Sequence, residues 1–488
     1  MNADYLGLFR ALLPEAILVA GALAVLLVDL TLGRSHSLER RKTTGVILGL
    51  LALAGAAAAI LLHGATGPVF AQAFMFDRLA TATRLGTLAL AALALAPLTS
   101  TPRVVHPAET VAVMLFATVG FLLMGAANQL LVSFVSLELA SLSLYLLAGF
   151  DKSRPESAEA GLKYFLVGGM SAAFLLFGFS LLFGLTGHLT LGGIAGQLAL
   201  QGPSPLLLVA LVMVLVAFGF KAAAAPFHLW APDVYQGAPA PAAALIASAS
   251  KLAGLVFFTR LLWPALSGQA GTVAHWPVTI GWGPVVALIA TASLLVGNFG
   301  ALAQSNVRRL LAYSAIAHAG VMLLGVLAAG RTGVGALYFY TFTYGIATVG
   351  SFGVIAAIEA SGPAQSLGDL AGLYRRSPLL AGCLAIFILS LAGIPPLAGF
   401  FGKFAVFASV LRLGGISGPA GWLVIAAIAL SAVALYYYLL ILKQALVAKP
   451  AANATPIKVS ALTTLALVSA AALTVVLGIM PSWLLSYF

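Results

Sequence analysis

The sequence predicts an all-α polytopic membrane protein of about fourteen transmembrane helices, a single membrane domain containing two inverted five-helix repeats. Three observations predict it. Hydrophobic residues make up 62% of the 488 residues and charged residues only 8%, whereas a soluble domain carries roughly 25% charged residues. Apolar windows of about 20 residues, the length that crosses a hydrocarbon core of roughly 30 Å, recur from end to end. Two proline-interrupted windows, each carrying a lysine, occur at matched spacing. Because lipid offers the backbone no hydrogen-bond partner, each lipid-facing window must be helical.

Taken in order, residues 1–105 hold spans centred near 22, 53 and 88. The first contains Glu15 and Asp29 and is followed by no small-residue cleavage site, so it reads as a retained span rather than a signal peptide. Residues 106–265 hold spans centred near 117, 139, 173, 214 and 251, and residues 272–447 hold spans centred near 287, 319, 346, 393 and 430. The last span, within 455–488, centres near 470. Short polar stretches separate them, such as RSHSLERRK (34–42), FDKSRPESAEAG (150–161), QSNVRRL (304–310) and DLAGLYRRSP (369–378).

The net charge of +11 follows this topology. With the N-terminus outside, fourteen basic residues fall on the inner side: Arg34, Arg40, Arg41, Lys42, Arg103, Lys152, Arg154, Arg308, Arg309, Arg375, Arg376, Lys443, Lys449 and Lys458. Six fall outside, namely Arg10, Arg78, Arg84, Arg260, Arg331 and Arg412. The positive-inside rule therefore places both termini on the outer face of a cell membrane, and a nucleic-acid partner is excluded. Cys383 is the only cysteine, which rules out disulfides within the chain, thiolate zinc sites and iron–sulfur ligation. The Asn453 sequon lies on the expected inner side and carries no weight.

Four of the 24 basic residues remain, Lys163, Lys221, Lys251 and Lys403. Lys251, in SASKLAGLVFF, has about eleven residues of its span on each side, which at about 1.5 Å per residue places it near mid-membrane. Lys221 and Lys403 lie deep in spans seven and twelve, whereas Lys163 begins span six, where a snorkelling anchor is the competing reading. A charge at the bilayer centre costs roughly 2.5–3.5 kcal/mol or more, so such groups are kept for pairing or function. Glu138, in VSLELASLSLYLL, lies at comparable depth, and a Glu138–Lys221 ion pair between spans five and seven is the simplest compensation. His318 occupies the middle of span ten and His228 follows the break in span seven; packing and capping are their competing roles.

Pro226, and Pro395 with Pro396, interrupt spans seven and twelve, and a broken helix frees carbonyls that only a polar, protein-lined interior satisfies. Glu138 to Lys221 is 83 residues and His318 to Lys403 is 85. Spans four to eight and nine to thirteen thus read as two copies of a five-helix unit, and an odd count inverts the second copy. Their mid-membrane line would be Glu138, Lys221, Lys251, His318 and Lys403, all of them groups that exchange protons.

KAAAAPFHLWAPDVYQGAPAP, SLELASLSLYLL, NVRRLLAYSAIAHAG and GIPPLAGFFGKF together resemble the subunit N family of bacterial NADH:quinone oxidoreductase, respiratory complex I, homologous to subunit 2 of the mitochondrial and plastid enzymes. The resemblance runs through most of the chain and is most specific over 130–410. It implies a fourteen-helix antiporter-like fold with discontinuous helices seven and twelve. It further implies that Glu138 pairs with Lys221, that Lys251 is the central lysine, that Lys403 serves the outer-side exit, and that Lys163 matches a helix-six lysine. The sister subunit M carries glutamate where Lys403 stands, and the sister subunit L adds a long C-terminal lateral helix, where this sequence runs to SWLLSYF.

The expected function is energy coupling: proton translocation driven by electron transfer from NADH to quinone. By the same resemblance the chain itself carries no cofactor or metal. FMN, iron–sulfur clusters and quinone belong to partner subunits, and neighbouring membrane subunits, the peripheral NADH-oxidising arm and lipids are its partners in a bacterial inner membrane. The alternatives are a subunit of a cation/proton antiporter or membrane-bound hydrogenase, and a scaffold whose buried charges only fix helix register.

Overall fold

The computed structural model describes residues 5–488 except 103, 203, 363 and 451–454; Arg103 and the sequon asparagine Asn453 therefore lie outside the described residues. Thirteen of its helices are long and apolar enough to cross a membrane. In order they are Leu13–Thr31, Leu38–His63, Arg78–Ser100, Pro107–Ala126, Leu130–Ala148, Pro155–Thr186, Pro205–Ala222, Ala240–Ala265, Trp282–Leu302, Val307–Ala328, Val334–Glu359, Pro419–Leu446 and Ala461–Ile479. The helices Pro378–Ala392 and Ala398–Gly414, end to end across a break, supply the twelfth of fourteen spans. The spans are numbered here from the N-terminus, so span seven is Pro205–Ala222 continued by Trp230–Gly237.

Several starts follow helix-entry chemistry. Ser204, Ser377 and Ser460 accept hydrogen bonds from the backbone N–H groups of Leu207, Leu380 and Thr463, and proline stands in the first turn of spans four, six, seven, twelve and thirteen, where a missing N–H is harmless. One short antiparallel hairpin, Gly67–Val69 with Phe74–Phe76, departs from the all-helical expectation. Its turn holds Phe70, Ala71 and Gln72 at positive φ.

Small residues set the packing. A Cβ on Gly120 would lie 2.6–2.9 Å from the backbone and Cβ of Ala140, and one on Gly297 would lie 2.3–2.8 Å from Ala317 in the same manner. Spans four and five, and spans nine and ten, therefore touch backbone to backbone, the close approach that small residues permit between membrane helices. Span eight lies innermost: every residue from Ala240 to Leu262 is buried. It has no lipid-facing side, and Ser248 breaks it into Ala240–Ala247 and Ala249–Arg260.

Two cations assigned to the outer loops are instead buried in helices. Arg84 donates to both Glu15 carboxylate oxygens, at 2.8 and 2.7 Å, and lies over the Phe76 ring at 4.9 Å. Arg260 pairs with Asp77. Span one is thereby tied to span three, and span eight to the residue that caps span three. Breaking a buried pair on one side leaves an uncompensated charge and costs about 3–5 kcal/mol. Arg84→Ala should accordingly lower the amount and thermal stability of assembled protein in membranes, while Arg84→Met combined with Glu15→Gln restores most of it; normal abundance of the single variant would show that the pair contributes little.

Candidate functional site

The break in span seven comes directly after Lys221. Ala223 adopts left-handed backbone (φ 57°) and its N–H turns back to the Gly219 and Phe220 carbonyls, which ends the helix two residues past the lysine. Lys221 is buried and its ammonium donates to Ser141 Oγ at 3.3 Å. Its stem lies over Gly254 of span eight, where a Cβ would stand 2.9 Å from Lys221 Cγ; hydrogen there leaves the room the lysine occupies.

Glu138 sits on span five one helical turn before Ser141, only partly buried, with Oε1 itself enclosed and unpartnered. The expected direct Glu138–Lys221 ion pair is absent among the described residues. Ser141 takes the ammonium instead, because the lysine approaches span five one turn further along than the carboxylate.

Lys251, three residues past the Ser248 break, is buried, donates to the Ala315 carbonyl at 2.7 Å and faces the Tyr344 ring at 5.6 Å. No carboxylate pairs with it among the described residues. Ala315 lies one turn before His318 on span ten, so the contact carries the line from the first half of the chain into the second.

His318 is held on both sides. Nδ1 is 2.6 Å from the Tyr340 hydroxyl and Nε2 is 2.9 Å from the Tyr438 hydroxyl, which in turn bonds Ser314. A neutral imidazole has one donor and one acceptor nitrogen, and both neighbours are hydroxyls that can rotate to give or accept. Swapping the tautomer reverses the direction of the whole string without moving a heavy atom. That is the requirement for a proton relay.

Lys403 follows its break instead of preceding it. Gly393 (φ 87°) ends the first half of span twelve, and Lys403 donates to the Leu391 and Ala392 carbonyls at 3.2 and 3.0 Å. These carbonyls lie at the helix C-terminus, whose partial negative charge favours a cation. A Cβ at residue 393 would stand 3.1 Å from Lys403 Cδ, so glycine answers both the left-handed turn and the lysine's space. His318, Lys403, Asn298 and Tyr437 line one cavity of about 10 Å³, room for about one water molecule.

The remaining two candidates lie off this line. Lys163 is 43% exposed by its side chain and pairs with Glu159 and Asp233, each at 2.6 Å. Asp233 also takes Arg309 at 2.5 Å. The second half of span seven is thus clamped between spans six and ten by a network at the end of the bundle. His228 is buried within the span-seven connection, and no hydrogen bond or ion pair joins it to Lys221, Lys251 or His318.

Sequence reasoning passed over Ser141, Tyr340, Tyr438, Gly254 and Asp233. The last had a signal, since an acid inside the APDVYQG segment of a broken span requires a partner. The others are ordinary residues of membrane helices and acquire meaning only from the side chains brought beside them.

A family model described as the NADH:quinone oxidoreductase/Mrp antiporter transmembrane family matches residues 127–433. This segment contains Glu138, Lys221, Lys251, His318 and Lys403. Over 498 aligned residues, covering 99% of both chains, the sequence is 46% identical to NADH-quinone oxidoreductase subunit N 2 of Acidobacterium capsulatum. A chain of respiratory complex I from Thermus thermophilus with bound aureothin superposes with a TM-score of 0.77 at 34% identity, covering 97% of this chain and 98% of that one. A chain of the membrane-bound sulfane sulfur reductase, an archaeal respiratory membrane complex, superposes with a TM-score of 0.83 at 23% identity, covering 98% and 96%, a likeness of fold alone. With the family model, the near-complete span of its relatives and the broken helices in agreement, the chain belongs to the antiporter-like membrane subunits of NADH:quinone oxidoreductase, in the subunit N family.

Proposed function

We propose that the chain is the proton-translocating subunit N of a bacterial NADH:quinone oxidoreductase, coupling electron transfer from NADH to quinone to proton movement along Glu138, Lys221, Lys251, His318 and Lys403. The observation that carries this reading is the burial of three lysines and a histidine in one bundle core, none in direct contact with a carboxylate among the described residues. A charge kept only for helix register is best compensated by a direct ion pair. Lys221, Lys251 and Lys403 instead donate to a hydroxyl or to carbonyls, partners that hold the ammonium and also tolerate the neutral amine.

The chain's residues would work as follows. Glu138, on the partly exposed face of span five, senses charge in a neighbouring subunit. Its approach or withdrawal changes the cost of holding a proton on Lys221, one turn away across Ser141. Lys221 and Lys251 exchange the proton through the core and pass it toward span ten, the His318–Tyr438 string relays it within the second half, and Lys403 delivers it toward the outer surface. FMN, iron–sulfur clusters and quinone belong to partner subunits in this reading. Neighbouring antiporter-like and small membrane subunits and lipids surround the chain, and both termini face the periplasm of an inner membrane.

The inverted repeat of residues 106–265 and 272–447 is part of the proposal. Each unit has its fourth helix broken, and the Gly120–Ala140 contact recurs 177 positions later as Gly297–Ala317 at both residues. At that offset His318 stands where Ser141 stands in the first unit, so the residue bound to Lys221 and the residue sharing a cavity with Lys403 correspond. The cation/proton antiporter reading is less well supported, because the extensive likeness in sequence is to oxidoreductase subunits.

Glu138→Gln tests the coupling role. The substitution keeps the shape and removes the charge that Lys221 senses, so proton pumping and coupled turnover should both fall in a complex that assembles normally. Normal pumping with normal assembly would remove Glu138 from the mechanism.

A further inference from the structure

The second half of span twelve presents Phe401, Phe404, Ala405, Ala408 and Arg412 at helical spacing along one face. That face forms one wall of a groove of about 600 Å³, closed on the other side by the start of span eleven near Gly335 and by Leu485 and Phe488. Counted from the break at residues 393–397, Phe401 and Phe404 lie within the hydrocarbon. Arg412 is 14 residues past the helix start at Ala398, roughly 21 Å along the axis, which is headgroup depth. Arg412 is exposed and has no ion-pair or hydrogen-bond partner among the described residues, and no Asp or Glu lines the groove.

We propose that this groove binds one anionic phospholipid, its phosphate on Arg412 and an acyl chain along Phe404 and Phe401. Charge decides between lipid and protein as the occupant. Among its described lining residues the groove is apolar apart from Ser409 and carries one charged side chain, Arg412, at the end where lipid phosphates lie, which is the polarity of a phospholipid. A partner helix would have to supply its own anion at that single depth. An aromatic-lined trough also accepts a flexible chain without the close backbone approach that helix pairs need. The lipid would cover the flank of the helix that carries Lys403, since Phe404 is the adjacent residue.

The assembled complex, purified in mild detergent and washed to constant lipid content, tests this by mass-spectrometric counting of retained phosphatidylglycerol and phosphatidylethanolamine. Arg412→Gln should retain one phosphatidylglycerol fewer per complex than the unaltered protein, Arg412→Lys the full number, and Arg10→Gln, altered at another outer cation, the full number. Phe404→Ala should show the same loss as Arg412→Gln with the charge left in place. On incubation with vesicles of phosphatidylglycerol and phosphatidylcholine, the unaltered protein should regain the missing phosphatidylglycerol and Arg412→Gln should not. Equal phosphatidylglycerol in Arg412→Gln and the unaltered protein would overturn the proposal. So would a photoreactive label on Phe404→Cys that captures a neighbouring subunit rather than lipid. Lipid counts are read without proton pumping, so either result leaves the proposed function to its own tests.

Discussion

Lys251→Ala is expected to assemble into the complex and to lose proton translocation by more than about tenfold, since a positioned proton-transfer group contributes roughly 10²–10⁴-fold to the rate of its step. The lysine is buried in the innermost helix, its ammonium on the Ala315 carbonyl, with no other basic group between Lys221 and His318 along the line among the described residues. Alanine fits the small-residue packing of span eight and removes a buried charge, so the loss should appear in transport rather than in abundance. Lys152→Ala, an exposed lysine in the loop before span six, is the control and should behave as the unaltered protein. Quenching of a pH-sensitive dye in sealed vesicles, beside immunoblots of assembled complex, separates the two effects. Equal pumping by both variants would return Lys251 to a structural role.

Lys403→Arg is expected to have the second largest effect, and it discriminates between holding a charge and releasing a proton. Arginine keeps the positive charge that the Leu391 and Ala392 carbonyls accept, so the helix end stays capped. Its guanidinium does not deprotonate in proteins. A cation needed only to cap the broken helix survives the exchange; a group that must give up its proton to the outer side does not. The complex should therefore assemble, reduce quinone in detergent, and fail to pump in vesicles. Pumping at the unaltered rate would assign Lys403 to capping alone.

The fourteen spans were legible because the bilayer leaves the backbone few choices, and the prolines at 226, 395 and 396 announced two of the breaks. The break at Ser248 carried no such signal: ASASK contains neither glycine nor proline, and the interruption depends on packing in the fully buried span eight. Arg84 and Arg260 were counted as outer-loop charges because their acids, Glu15 and Asp77, are 69 and 183 residues away in sequence. A count of basic residues by side gives the orientation of a span and says nothing of which cations have buried partners.

The same distinction governs the site. Depth along a span identified Lys221, Lys251, Lys403 and His318, since position in a window is a property of the sequence. Register between spans is not. Pairing Glu138 with Lys221 directly was off by one turn of span five, the turn that brings Ser141 to the ammonium. The hydroxyls of Tyr340 and Tyr438 come from residues 22 and 120 positions beyond His318, and nothing local marks them among 13 tyrosines. Lys163 was legible as a span-end lysine, and its partners confirm only that it belongs to the clamp around Asp233.

The most direct test of the account is the number of protons translocated per electron, measured in sealed vesicles for the unaltered complex, Lys152→Ala, Glu138→Gln, Lys251→Ala and Lys403→Arg at equal assembly. A proton line through this chain predicts that the ratio holds for Lys152→Ala and falls for the other three, most for Lys251→Ala and Lys403→Arg. A ratio unchanged across the whole series, with electron transfer intact, would contradict it and leave the buried lysines as structural charges.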